Sequence, residues 1–206
     1  MNKQIILALL LPFAAAVQAA TSTDAELLAG CAACHAVDGG GDQAQGAPRL
    51  AGQQQEYLAR QLENFKAGRR GYAEQDQAGQ RMRAFAVNLS DAQIASLAGY
   101  YAGLQLVKQP MPESGAAKAG AALYDDACAA CHGQFAQGYV QQQTPNLRIL
   151  AGWYIDQQLQ AFVKGWRGAD EHADIRSKWM RTVATQINAE QRRAVVEYIE
   201  SLGAGS

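Results

Sequence analysis

Apolar residues recur at helical spacing through most of the chain, but the first apolar stretch is continuous. It runs from Ile5 to Val17 and is broken only by Pro12. Lys3 precedes it, and Val17-Gln18-Ala19 and Gln18-Ala19-Ala20 follow with small residues. A positive start, a short apolar run and a small-residue cleavage site predict a secretory signal over residues 1–20. The run is too short and wrongly flanked for a comfortable membrane span. An uncleaved N-terminal anchor is the lesser reading, so the mature chain is expected to have no stable membrane insertion.

Beyond residue 20 the pattern is that of short amphipathic helices. Thr23 or Asp24 can cap a first helix bearing Leu27 and Leu28. Gln53 to Lys66 carries Tyr57, Leu58, Leu62 and Phe65 on one stripe, and Gly68 is a natural stop. Ser90 with Gln93 resembles a capping box, followed by Ile94, Leu97, Ala98 and Tyr101 at i, i+3, i+4 and i+7. Further on, Ala116–Ala127 and Trp153–Lys164 read as helices, and Asn188 caps a last one bearing Val195, Tyr198, Ile199 and Leu202. No run has convincing strand character, so the fold class is all-α.

The same pattern occurs twice. At an offset of 97, Pro48 matches Pro145, Tyr57 matches Tyr154, Gln61-Leu62 matches Gln158-Leu159, and Arg70-Gly71 matches Arg167-Gly168. The offset then becomes 98, and Leu89 matches Ile187. Between the copies Gln109-Pro110-Met111-Pro112 cannot continue a helix. The expected organisation is a signal over 1–20, one domain over 21–104, a linker over 105–115 and a second domain over 116–206. So short a linker suggests that the two domains pack together.

Each copy contains one Cys-Ala-Ala-Cys-His string, Cys31 to His35 and Cys128 to His132, and these hold every cysteine of the chain. C-x-x-C-H is the attachment signature of c-type haem. Two thiols three positions apart lie on nearly one face of a helical turn and can reach one macrocycle edge. The next residue then offers its imidazole to the iron. A four-cysteine zinc site usually spaces its pairs about 15–20 residues apart, whereas these lie 97 apart and each is followed by histidine. A thioredoxin-like motif needs a strand–helix context, and plain disulfides remain an alternative in an exported chain. The expectation is two covalent haem c groups held by Cys31, Cys34, Cys128 and Cys131, with His35 and His132 as axial ligands.

Elimination points to the sixth ligands. Met82 lies seven residues before Leu89, and Met180 seven before Ile187, each in a stretch that reads as irregular. Methionine fills cores by default, but a repeat-matched pair with basic neighbours is a poor core candidate, so Met82 and Met180 are expected on iron. Met111 in the linker and His172 in a charged segment are lesser alternatives. Pro48 and Pro145 each follow their histidine by 13 residues, where a carbonyl can accept the imidazole Nδ1–H and orient the ring. Arg70 and Arg167 are repeat-matched partners for haem propionates, since a buried carboxylate needs one. Tyr57, Tyr154 and the three tryptophans (Trp153, Trp166, Trp179) read as packing residues. The formal net charge is −1, and neither half has the basic excess of a nucleic-acid binder.

With these residues in place the chain resembles the dihaem cytochrome c4 family. The likeness rests on Cys31 to His35, on Ala47-Pro48-Arg49-Leu50-Ala51-Gly52-Gln53, on Tyr57 with Gln61-Leu62, on Met82, and on Leu89-Ser90-Asp91 with Ala98 to Tyr101. It implies two tandem class I cytochrome c domains, each a small helical bundle around one covalent haem with His/Met iron. It also implies a non-enzymatic carrier in the periplasm, taking electrons from a quinol-oxidising cytochrome complex of the respiratory chain to a haem–copper terminal oxidase. The second copy departs from the family pattern at Asn146 to Ile149 and at Asp170-Glu171-His172. A dedicated electron-transfer subunit of a periplasmic dehydrogenase or oxidase complex is therefore the alternative, with a haem enzyme less favoured.

Overall fold

The computed structural model describes residues 22–105, 117–169, 171 and 173–203. The signal, Met111 with the rest of the linker's interior, and His172 lie outside the described residues, as do the side chains of Thr23 and Asp24. In the first domain α1 spans Ser22–His35, α2 Gln55–Lys66, α3 Gln77–Ala86 and α4 Asp91–Gly103. In the second, α5 spans Ala117–Ala127, α6 Ala129–His132, α7 Gly152–Val163, α8 Ile175–Ala184 and α9 Ala189–Gly203. Among the described residues the only β pairing is one bridge, Asp42 to Ala47.

Local chemistry explains most boundaries. Ser90 and Gln93 form a reciprocal capping box at the start of α4, which buries Ile94, Leu97, Ala98 and Tyr101. Asn188 and Gln191 make the same exchange before α9. Helix α2 buries Tyr57, Leu58, Gln61, Asn64 and Phe65, and the chain leaves it through Gly68 at φ 70°. Helices α3 and α8 differ from the sequence expectation, which left both stretches irregular. Each begins on an aspartate: Asp76 accepts from the Gly79 amide, and Asp174 accepts from the Arg176 and Ser177 amides. Met82 and Met180 therefore sit inside helices.

The repeat extends to backbone detail. Gly41 N donates to His35 O (2.9 Å), and Gly138 N to His132 O (2.7 Å). Gly71 and Gly168 both have positive φ, and a Cβ there would run into the carbonyl oxygens of Gly79 and Ser177. Only glycine lets this loop press onto α3 and α8.

The domains join along α2, α7 and the loops beside them. Gln53 exchanges two hydrogen bonds with the Asn146 backbone, at 3.0 and 2.8 Å. Tyr72 donates to Gly165 O and accepts from the Ala169 amide. Asp174 is the hub: it caps α8, accepts from Arg60 Nη1 and Asn64 Nδ2 (2.9 Å each), and takes the Ser177 hydroxyl. Burial pushes its carboxyl up, but Ser177 and Arg60 outweigh burial and hold it below its ordinary value. A depressed pKa means stability that is present above the unfolded value of about 3.9 and lost as pH falls through the folded one. The urea midpoint of Asp174→Asn is expected to lie well below wild type at pH 7. The gap should close towards pH 3, and a gap independent of pH would contradict this role.

Candidate functional site

Helix α1 ends in the first Cys-Ala-Ala-Cys-His string, and His35 is its last residue, 5% exposed. In the second domain Cys128 breaks the helix, and α6 carries the rest of the string to a buried His132. The chain then reverses and brings the Pro48 carbonyl oxygen to 2.8 Å from His35 Nδ1. The Pro145 carbonyl acts on His132 in the same sense, but His132 Nδ1 makes no well-formed hydrogen bond. Burial lowers both imidazoles against these carbonyls, His132 to about 4. Both rings are thereby held neutral, the form that coordinates metal.

Each histidine faces a cleft. The first is lined by Cys31, His35, Leu62, Phe65, Met82 and Leu97. The second is lined by Cys128, Cys131, His132, Leu159, Met180 and Ile199. The structure thus brings histidine and methionine to one cleft in both domains, although they come from separate helices. Cys34 is half-buried and outside the lining. Burial pushes the free thiols of Cys31 and Cys128 up, Cys128 to about 11.

The clefts meet at the domain interface, where Arg70 and Arg167 are 7% and 6% exposed. Arg70 donates to Gln61 Oε1 of its own domain and to Gln158 Oε1 and the Tyr154 hydroxyl of the other, all at 2.9 Å. Arg167 mirrors it, donating to Gln158 Oε1 (2.8 Å) and to Gln61 Oε1 (2.9 Å). Tyr57, Tyr154 and Gln158 line both clefts. Burial pushes the Tyr57 phenol up, yet Arg167 and Arg70 outweigh it and hold the group below its ordinary value. The described ion pairs are Arg60–Asp174 and Lys66–Asp91, so neither interface arginine contacts a carboxylate. Both Nε atoms are buried without a partner. Two buried cations with spare donors beside two apolar clefts fit a cofactor that brings its own carboxylates.

Tyr57 and Tyr154 are buried, as the sequence leads one to expect of packing residues, but the sequence reading assigns Gln61 and Gln158 no role. The available signal was a repeat-matched glutamine four residues after a tyrosine on the buried face of a helix. Trp179 is corrected too: it is 61% exposed at the second cleft and does not pack in a core.

The cytochrome c family model matches residues 24–105 and again 117–203. The chain is 37% identical over 181 residues to the thiosulfate dehydrogenase electron acceptor of Thiomonas intermedia (strain K12), covering 83% of this chain and 77% of that one. It superposes on the Acidithiobacillus ferrooxidans cytochrome c4 structure with a TM-score of 0.67 at 30% identity, over 87% of this chain and 99% of that one. It also superposes on thiosulfate dehydrogenase (TsdBA) from Marichromatium purpuratum, with a TM-score of 0.65 at 34% identity, over 82% of this chain but 35% of that one. The chain belongs to the cytochrome c family, as a dihaem electron-transfer cytochrome of the cytochrome c4 kind that carries two covalently bound haem c groups.

Proposed function

We propose that this protein is a periplasmic electron relay and not an enzyme. Cys31 and Cys34 hold one haem and Cys128 and Cys131 the other. His35 with Met82 would ligate the first iron, and His132 with Met180 the second. The observation that carries this reading is that a buried histidine and a methionine from separate helices line the same cleft in both domains. When bound, each haem supplies one reversible electron at iron. The protein's part is to hold both axial donors fixed, keep water from the buried face, and keep the imidazoles neutral and oriented. The His35–Pro48 contact orients the first ring. With a histidine and a methionine of the chain both offered to each metal, no position there would be left for a substrate.

The acceptor in this reading is a haem–copper terminal oxidase. For the donor, the 37% likeness to a thiosulfate dehydrogenase electron acceptor favours a periplasmic thiosulfate dehydrogenase over a quinol-oxidising complex. Described helices long and apolar enough to cross a membrane are absent, which suits a partner met in the periplasm. The test is stopped-flow mixing of the ferric protein with thiosulfate dehydrogenase and thiosulfate, and separately with a quinol-oxidising complex and quinol. The expected result is reduction of two haem equivalents per chain by the first donor, at a rate that exceeds the second at least tenfold. Faster reduction by the second would reassign the donor. A high-spin ferric spectrum would overturn the closed-haem carrier.

A further inference from the structure

The two cleft mouths are built on one plan but surfaced differently. Loop 36–47 and α3 bound the first, and loop 133–144 and α8 the second, where Arg176 Nε donates to Gln142 O (2.8 Å) and ties loop to helix. Phe135, Tyr139, Val140, Ile175 and Trp179 are exposed apolar residues on these two elements of the second domain. At the matching positions the first domain has Asp38, Asp42, Gln43, Gln77 and Arg81. The match is secure, because the positive-φ positions of the two loops coincide: Ala36 with Gly133, Gly39 with Ala136, Gly41 with Gly138, and Gly46 with Gln143. The first loop shows one exposed large apolar residue, Val37. Charge differs in the same way. Loop 133–144 carries no charged residue; α8 carries Arg176, Lys178 and Arg181, and α3 is basic as well, with Arg81 and Arg83, so the difference lies in the loops. Loop 36–47 carries two aspartates.

A cluster of exposed large apolar side chains on the two elements that bound one cleft mouth marks a contact site. We propose that the mouth of the second domain is the docking face for a redox protein that presents an apolar surface edged by carboxylates. Trp179 and Cys131 line the second cleft, so a partner seated at this mouth lies at the cofactor's edge. Five side chains are few beside the 20–30 residues per side of a standard stable interface. A brief electron-transfer encounter suits this size and a permanent dimer does not. The basic edge on α8 selects an acidic rim. One electron crosses in each encounter between the haem and the partner's centre: one of the two is oxidised by one electron as the other is reduced by one, and no bond or proton moves.

This inference rests on the carrier reading, and its test separates the two. Val140→Gln with Ile175→Gln transplants the first domain's residues to positions outside the cleft lining. The double variant of the holoprotein should keep both potentials and wild-type exchange with small inorganic oxidants. Its second-order rate with the enzyme that serves wild type, thiosulfate dehydrogenase or haem–copper oxidase, should fall at least tenfold. The mirrored variant Gln43→Val with Gln77→Ile should show no such loss. Equal rates in wild type and the double variant overturn the docking face. Concentration-dependent dimers of wild type that the double variant abolishes would make the occupant a second copy, which also overturns it. If neither enzyme exchanges electrons with wild type, the carrier reading fails. In that case anilinonaphthalene sulfonate fluorescence decides: loss in the double variant upholds an adhesive apolar face, and equal binding overturns it.

Discussion

Met82→Ala is expected to lower the potential of the first haem by an amount on the order of 100 mV or more, and to open that haem to carbon monoxide. Thioether sulfur is a soft, weak donor that favours ferrous iron, so its loss lets water or hydroxide stabilise the ferric state. Helix α3 fixes the sulfur's place, since Asp76 caps it and Gly71 pins the adjoining loop against it. No other methionine or free histidine lines the first cleft, so no equivalent donor in that lining can take over. Met180→Ala should do the same to the second haem. In each variant a redox titration resolving both haems should show a large shift in one and a small shift in the other. If Met82→Ala moves neither potential, the methionine is a packing residue.

The histidine-bearing strings and helices α2, α4, α7 and α9 were legible because their determinants are local. A capping box at Ser90 and a four-residue apolar stripe leave little choice. Helices α3 and α8 were not, for a reason that comes from the cofactor. In α3 only Gly79 and Ala86 are buried, because the face with Met82 turns towards a cleft and not towards other side chains. Such a helix has no full apolar stripe to read. The interface was half legible. The repeat marked Arg70 and Arg167 as a pair, and the short linker suggested packing. That each arginine would reach into the other domain depends on how two copies meet, and no local pattern encodes it. The exposure of Trp179 was hidden for the same reason, since tryptophan composition alone predicts burial.

Arg70→Met is expected to have the second large effect, and to have it in both domains. The substitution removes a buried cation and leaves Gln61, Gln158 and Tyr154 each short of a donor. Unsatisfied buried groups cost ~1–3 kcal/mol each, so a loss of about 2–4 kcal/mol in unfolding free energy is expected after Arg167 partly takes over. A positive charge beside a haem disfavours the ferric state. Its removal should therefore lower the potential of the first haem, and through the shared glutamines and Tyr154 lower that of the second as well. Arg70→Lys keeps the charge but loses the planar fork that spans two domains, so it should restore much of the potential and little of the stability. The decisive measurement is the cycle of Arg70→Met, Arg167→Met and the double variant. The two guanidiniums share both glutamine acceptors, so their effects on stability should be non-additive by about 0.5–3 kcal/mol. Strict additivity would mean two independent arginines that happen to lie at one interface, and it would remove the physical link between the clefts.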